Sequence, residues 1–329
     1  MRVAVIGYGR WGPNHARVFS EMATLAAIAD RDRERLDQAG QKYPSVLRYT
    51  SYRDAVSVAD AVIVATPVST HQEVVGYALA QGKHVLCEKP LCLDAKMARE
   101  LHRLAQMHKV VLMTGYTYLY NARARWLLDV DFGKIHTVHS ECTSLGPRRP
   151  DVGVVADLAT HHLALLQSWM GPAVMVSCTG QRCLGDGHDD AATVCLLYEG
   201  GVYASIYVSW LVPHKSRCMQ VVGEKCMVEW DDADPISPIC VYDGGARPRD
   251  FYETEAEFMH LSAWTGSRVI PSVEYVEPLR TEAGRFLWYI EHGGHNFAAF
   301  DEDLCATLEA ALRSKDAYGE PSPVKVRRS

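Results

Sequence analysis

No stretch of this chain approaches the roughly 18 uninterrupted apolar residues that a membrane-spanning helix requires. Positive charge is not in excess either: 34 Lys and Arg stand against 40 Asp and Glu, a net charge of −6. That balance argues against a general nucleic-acid or acidic-membrane surface while leaving room for a local basic pocket. Paired CxxC spacings are missing, and the ten cysteines are scattered. Reduced thiols in a cytoplasm are therefore expected, not a disulfide framework. The sequence shows no internal repeat and no low-complexity segment. Its first apolar run, Val3–Ile6, is short and has no small-residue cleavage site after it, so a strand is expected there and not a secretory signal. What remains is 48% apolar and 22% charged over 329 residues. Such a composition suits a soluble enzyme, and the length exceeds one ordinary core, so two domains are expected.

Up to about residue 114, short β-branched runs alternate with helical stretches. The runs are Val3–Ile6, Leu25–Ala29, Ala61–Ala65, His84–Cys87 and Val110–Met113, with helices expected near 13–21, 31–42, 69–81 and 94–108. Near-continuous apolar strands separated by helices imply a doubly wound parallel sheet covered on both faces. Ser69 with Gln72, or Thr70 with Glu73, fits a capping box at the start of the third helix. Past residue 121 the rhythm changes. Helices near 121–130 and 155–170 bracket a strand at 135–143, and strands then follow near 173–183, 191–198, 202–210, 217–223 and 226–230. Asp186-Gly187 and Gly200-Gly201 mark hairpin turns. Consecutive strands without helices predict an α+β second domain, 121–329, with a large open, mostly antiparallel sheet. One face of that sheet would need cover, most simply by a homodimer or homotetramer partner. An amphipathic helix near 302–314 closes the chain and is expected to pack back on the first domain, 1–120. The segment 231–280 gives no clear pattern.

Gly7-Tyr8-Gly9-Arg10-Trp11-Gly12 is a G-x-G-x-x-G that directly follows a strand and opens a helix, and Asp30 ends the next strand. In that context the pattern is a dinucleotide-binding fingerprint. Gly7 permits the tight turn, Gly9 lets the backbone approach a pyrophosphate, and Gly12 lets the helix pack near the strand. The helix N-terminus offers free N–H groups, and Pro13 sits where no N–H partner is lost. Asp30 is suited to accept hydrogen bonds from a ribose and to repel a 2′-phosphate, while Arg31 softens that repulsion. NAD is thus preferred over NADP.

At Val62-Ile63-Val64-Ala65-Thr66-Pro67, followed by His71, the chain resembles the Gfo/Idh/MocA oxidoreductase family. Glu88-Lys89-Pro90, at the C-terminal end of a strand, strengthens the likeness. It extends through Gly115–Asn121 (GYTYLYN), Leu145–Val152 and Asp157-Leu158-Ala159-Thr160-His161. Within the family the pattern is nearest to WlbA-like enzymes, which oxidise C3 of UDP-N-acetylaminohexuronates. Three positions depart from it: Thr160 and His162 stand in A-T-H-H where that branch usually reads A-P-H-D, and Tyr116 stands where a histidine is common. The resemblance implies that Arg10, Trp11, Thr66, Pro67, His71, Glu88 and Lys89 contact the cofactor along with the glycine turn. It further implies Lys89 as the catalytic lysine, His161 as general base and Asp157 as a polarising partner.

The residue types suit those roles. An ammonium at a strand edge can hydrogen-bond both a substrate hydroxyl and the nicotinamide ribose. Asp157 and His161, four apart, would share one helix face; alone, such a pair is more often a helix salt bridge. A histidine titrates near neutrality and can take a hydroxyl proton as hydride leaves the same carbon. Arg148 and Arg149, in a Gly-Pro loop, are equally a diphosphate or carboxylate clamp and a solvated charge pair. Tyr116, Tyr118 and Tyr120 would share one face of an extended segment lining the substrate pocket, with Asn121 and His162 as further candidates. No metal is expected: His136 and His139 point to opposite faces of a strand, and His292-Gly-Gly-His295 lacks an accompanying ligand. The expected reaction is hydride transfer between NAD and a secondary alcohol of a sugar, first a nucleotide sugar, alternatively a free polyol such as inositol or an antibiotic aminosugar. A non-catalytic NAD-binding sensor is the alternative of another class.

Overall fold

The computed structural model describes residues 1–146, 148–185, 187–244, 266–293 and 297–326. Asp186 of the expected hairpin turn, Pro147 of the Leu145–Val152 motif and His295 lie outside the described residues.

The first sheet has six strands, all parallel: β1 (Arg2–Ile6), β2 (Thr24–Ala29), β3 (Leu47–Tyr49), β4 (Ala61–Val64), β5 (His84–Glu88) and β6 (Leu112–Gly115). Their order, β3-β2-β1-β4-β5-β6, places the switch of winding direction beside β1, where the glycine turn begins. Ala61–Val64 is buried along its whole length, as a strand covered on both faces must be. The cover comes from α1 (Gly12–Met22), α2 (Arg33–Lys42), α3 (Tyr52–Ser57), α4 (His71–Ala80) and α5 (Ala95–His108). Neither β3 nor α3 stands out in the sequence, because each is too short for a period to show.

The expected capping box does not form. Residues Val68–Thr70 make a 3-10 turn, α4 starts at His71, and its start carries no side-chain cap. Thr70 Oγ1 instead donates to Thr66 Oγ1 and the Pro67 carbonyl, and Glu73 accepts from the Tyr52 hydroxyl. The Pro67 turn takes the hydroxyl that a cap would have used.

After α6 (Ala122–Trp126), capped by Asn121, come β7 (Ile135–Thr143), a wide π-type turn (Val155–Ala159) and α7 (Thr160–Met170). Next follow β8 (Met175–Gln181), β9 (Ala191–Leu197), β10 (Tyr203–Ser209), β11 (Ser216–Gly223), β12 (Met227–Asp231), β13 (Ile239–Tyr242) and β14 (Arg268–Val269). With β15 (Ser322–Pro323) they form a nine-stranded sheet, ordered β14-β13-β12-β11-β7-β10-β9-β8-β15. Every pairing in it is antiparallel except β7 with β10. Alternation buries Val138, Val194, Ile206 and Val221 on one face, against Leu163, Leu165 and Leu166.

Two helices close the chain, α8 (Pro278–His292) and α9 (Ala298–Asp316). The first was not legible in the sequence, and its apolar face packs against the layers of the first sheet. Leu279, Ala283 and Phe286 pack in the core cluster that holds Phe19, Ile28 and Ile63 of the first sheet's layers, with Phe286 edge-on to Phe19 at 6.4 Å. Ion pairs of Arg17 with Glu277 and Arg280 with Glu21 fasten its rim. Helix α9 packs on both domains, meeting α5 and β8. From it Asp301, fully buried, accepts from His102 Nε2 (2.6 Å), Thr114 Oγ1 (2.9 Å) and the Tyr116 hydroxyl (2.8 Å).

Three donors converging on one buried carboxylate are strongly coupled to the fold, since removing it strands all of them in a dry interior. Asp301→Ala is expected to cost about 3 kcal/mol of unfolding free energy, read as a lowered urea midpoint with an unchanged slope. A midpoint equal to that of the parent protein contradicts this account.

Candidate active site

Beyond the carboxyl ends of β1, β2, β4 and β5 lies a cleft of about 870 Å³, the place where open α/β sheets bind ligands. Gly7 sits at φ +91°, and a Cβ on it would stand 2.6 Å from the Ala65 carbonyl oxygen. A Cβ on Gly12 would stand 2.0 Å from the Gly7 carbonyl oxygen, so both positions exclude side chains. Gly9 differs, because a Cβ there meets only the end of Arg35, at 3.4 Å. Helix α1 has no side-chain cap, whereas Asp32 caps α2 and Asp94 caps α5. Its first N–H groups and partial positive charge are thus left to the cleft, beside Gly9, Arg10 and Trp11. Clearance and donors together fit a dinucleotide pyrophosphate. Asp30 lines the same space with Arg31. Its carboxylate is held by the Tyr8 N–H (2.6 Å) and the Asp32 N–H (2.9 Å), with Arg35 at 3.6 Å, and it keeps lone pairs for ribose hydroxyls.

Thr66 and Pro67 form one wall, with Glu88 and Lys89 on the floor. His71 does not reach the cleft. Its buried ring lies between the Thr66 carbonyl (2.9 Å) and the carbonyls of Pro90 and Leu91 (3.0 and 3.2 Å), bracing the two loops that meet there. Glu88 Oε1 lies 2.7 Å from His15 Nε2. Burial pushes the Glu88 carboxyl up, but the His15 hydrogen bond and the Lys89 charge outweigh it and hold it below the usual range.

Lys89 is buried, and its Nζ donates to the Asp157 carbonyl oxygen and lies 3.3 Å from Asp157 Oδ1. Asp157 also receives Trp210 Nε1 at 3.3 Å and Arg149 Nη1 at 3.4 Å. Burial raises its pKa, yet the Lys89 and Arg149 charges prevail and keep it ionised. The residue lies in the π-type turn and not on a regular helix face, a distortion common at functional sites. His161, one turn on, is stacked on Tyr118 with centroids 4.6 Å apart. It does not line the main cleft, and its Nδ1 is buried without a hydrogen-bond partner among the described residues. Burial, then the Lys89, His162 and Arg217 charges, push its pKa well below the usual value, so the ring is a neutral proton acceptor.

The remaining expected substrate contacts fare unequally. Thr117–Tyr120 forms a 3-10 turn, not an extended segment, so the three tyrosines do not share a face. Tyr118 reaches His161, whereas Tyr116 is tied to Asp301 and Tyr120 faces Met113 Sδ at 3.9 Å. Tyr116 and Tyr120 both border a second, smaller cavity away from Lys89. Asn121 is buried as the cap of α6 and donates to Asp232 at 2.8 Å. His162 is wholly buried against Tyr118 and Trp230, with neither ring nitrogen partnered among the described residues. Arg148 and Arg149 do line the cleft, but their donors are spent on the chain itself. Arg148 binds the Leu184 carbonyl (2.7 Å) and Asp190 (2.6 Å), and Arg149 grips Asp151 at 2.8 and 3.0 Å. Four residues at the site went unnoticed in the sequence: His15, Cys142, Trp210 and Arg217. Only Arg217 carried a usable signal, as the one charged residue of its strand.

A glycine-lined dinucleotide cleft floored by a lysine and two ionised carboxylates defines an NAD-linked oxidoreductase. The chain belongs to the Gfo/Idh/MocA family. Residues 1–116 match the family model described as an oxidoreductase family with an NAD-binding Rossmann fold, and residues 122–229 match its C-terminal domain. The chain is 31% identical over 229 residues to UDP-N-acetylglucosamine 3-dehydrogenase of Acidithiobacillus ferrooxidans, covering 67% of this chain and 71% of that one. With inositol 2-dehydrogenase of Rhizobium meliloti it shares 27% identity over 95% and 96% of the two lengths. The solved structure of the former dehydrogenase, GnnA, superposes with a TM-score of 0.81 at 24% identity over 97% and 98% of the chains. GenD2 from gentamicin A biosynthesis, solved with NAD, reaches 0.82 at 22% over 99% and 97%. At these identities the superpositions speak to fold alone.

Burial and the Arg217 charge lower the His162 pKa to about 3. Between pH 6.5 and 3 the unfolded chain therefore binds a proton here that the folded chain refuses, and stability falls as pH falls through that window. At pH 5 the loss from this ring is about 2 kcal/mol. His162→Leu should shrink the stability gap between pH 7 and pH 5, measured by urea unfolding, by that amount; an unaltered gap places the proton uptake elsewhere.

Proposed function

We propose that this protein oxidises a secondary alcohol on a sugar ring, or reduces the matching ketone, with NAD as its hydride partner. A nucleotide-linked sugar is the favoured substrate, in keeping with the 3-dehydrogenase relative, and a free polyol or aminosugar is the alternative. One observation carries the reading. The buried Lys89 Nζ meets Asp157 on the floor of the cleft that the glycine turn lines.

The glycine turn, Asp30, Thr66, Pro67 and Glu88 would hold the cofactor, which supplies the two-electron acceptor. Lys89, fixed by Asp157, donates a hydrogen bond to the substrate hydroxyl oxygen and polarises it. Neutral His161 takes the hydroxyl proton, so alkoxide character develops only as the C–H electrons depart. Residues 1–120 form the cofactor domain, and most of 121–329 forms the substrate domain. The outer face of the second sheet, where Leu197 and Tyr203 are 41% and 46% exposed, packs on another copy, which sedimentation in solution tests. Among the described residues no helix is long and apolar enough to cross a membrane, and all ten cysteines are free. Both facts support a cytoplasmic enzyme.

NAD reduction followed at 340 nm across nucleotide sugars, inositols and aminosugars tests the reaction, in single-turnover format so that tightly held cofactor does not hide it. Lys89→Met and His161→Asn are each expected to lower turnover by about 10²–10⁴-fold while NAD affinity stays within a few-fold; retained turnover overturns the assignment. The acid side of the kcat/KM profile yields a further expectation. His161 is neutral well below pH 6.5, so protonation should not stop the reaction as pH drops through that value. An acidic limb centred near 6.5 that vanishes in His161→Asn would contradict it.

A further inference from the structure

Arg217 stands at the start of β11, paired across the sheet with Cys142 near the end of β7. Cys142 feels Arg217, Lys89 and Asp157 together, and His161 feels both Lys89 and Arg217. The Arg217 partner Asp232 also receives Asn121, at the end of the turn that carries Tyr118, and Tyr118 stacks on His161, so Arg217 stands near the Lys89–Asp157–His161 group. The cations of the site differ in bonding state. Lys89, Arg148 and Arg149 each hold close partners, as described above. Among the described residues Arg217 has one ion pair, to Asp232 Oδ2 at 3.6 Å, a long contact that engages only part of the guanidinium, and the other oxygen of that carboxylate already receives Asn121. A guanidinium carries five donors. The Arg217 side chain is 38% exposed, so water satisfies them when the site is open. A sugar seated between Lys89 and His161 displaces that water. It binds well only if it returns acceptors, and an anion returns the strongest ones.

From this we infer that Arg217 is the substrate-gripping residue of the site, and that it seats an oxyanion (carboxylate or phosphate) carried by the sugar. The inference rests on the dehydrogenase reading of the cleft and moves the anion-binding role from the Arg148–Arg149 loop to β11. The surrounding groups favour an anion over a neutral hydroxyl. His161 and His162 are neutral, burial pushes the Cys142 thiol up to about 11, and Tyr118 keeps its proton. The carboxylates near that wall are Asp157, held by Lys89 and Arg149, and Asp231 and Asp232, of which Asp232 pairs with Arg217 itself.

Titration of the NADH-loaded protein, followed by nicotinamide fluorescence, tests the seat with matched probes. UDP-glucose and UDP-glucuronate differ by a ring carboxylate, and glucose and glucose 6-phosphate by a phosphate. At least one anionic member should bind about 30-fold or more tightly than its neutral mate. Arg217→Gln should erase that ratio by weakening the anion alone, and Arg217→Lys should restore part of it, both at unchanged melting temperature. Response of the first pair only assigns a sugar acid, and of the second only, a phosphoester. Ratios near one in the parent protein overturn the inference, as does an Arg217→Gln loss equal for charged and neutral probes. Lys89→Met separates the two claims. If that variant keeps turnover while the Arg217 ratios hold, the catalytic assignment fails and the anion seat stands.

Discussion

The buried meeting of Lys89 with Asp157 is the constraint on which the rest of the site depends. An ammonium withdrawn from water is costly unless a carboxylate and further acceptors receive it, and a buried carboxylate is equally exposed to that cost. Here Lys89 follows a strand of the first sheet and Asp157 lies in the turn before α7, 68 residues apart in sequence. Separating them would strand a charge, so the pair holds the end of β5 against that turn. Trp210 and Arg149 share the Asp157 oxygens, which fixes the carboxylate from its other side. Glu88, held by His15, fixes the strand end from the cofactor side.

Around that pair, charge is distributed by burial more than by composition. The chain is mildly acidic overall, yet the cleft alternates ionised carboxylates with guanidiniums, and His161 and His162 beside it are uncharged. A neutral His161 beside cations keeps its proton-accepting form in mild acid, where a free histidine is lost to protonation, at the cost of lower intrinsic basicity. The same surroundings leave His162 a structural ring with no chemistry.

The doubly wound sheet and the glycine turn were legible because each has a local signature, a period or a motif after a strand; Lys89, Asp157 and His161 stand out only through the family resemblance, since an Asp and a His four apart read alone as a helix salt bridge. The first-sheet strands fall close to the expected runs, and β7 coincides with 135–143. What escaped was tertiary. The helix at 278–292 was not legible, and nothing local says that Phe286 belongs beside Phe19. Alternation put three tyrosines on one face, but the backbone after Gly115 turns tightly and separates them. Arg148 and Arg149 looked free because their partners, Asp151, Leu184 and Asp190, are settled by loop packing. Arg217 was overlooked because its neighbours, Cys142 across the sheet and Asp232 beyond the next turn, come together only in the fold.

Helix α8 bears on how the chain is made. The first sheet is complete at Gly115, but part of the apolar layer that covers Phe19 is not synthesised until about residue 280. At roughly 5–20 residues per second, a ribosome takes on the order of 10–30 s to supply it. Throughout that interval the nascent chain presents an uncovered hydrophobic groove beside α1, to be filled from its own distant end or occupied by a chaperone. The order of translation and the order of core completion are therefore out of step, and the last helices close what the first ones began.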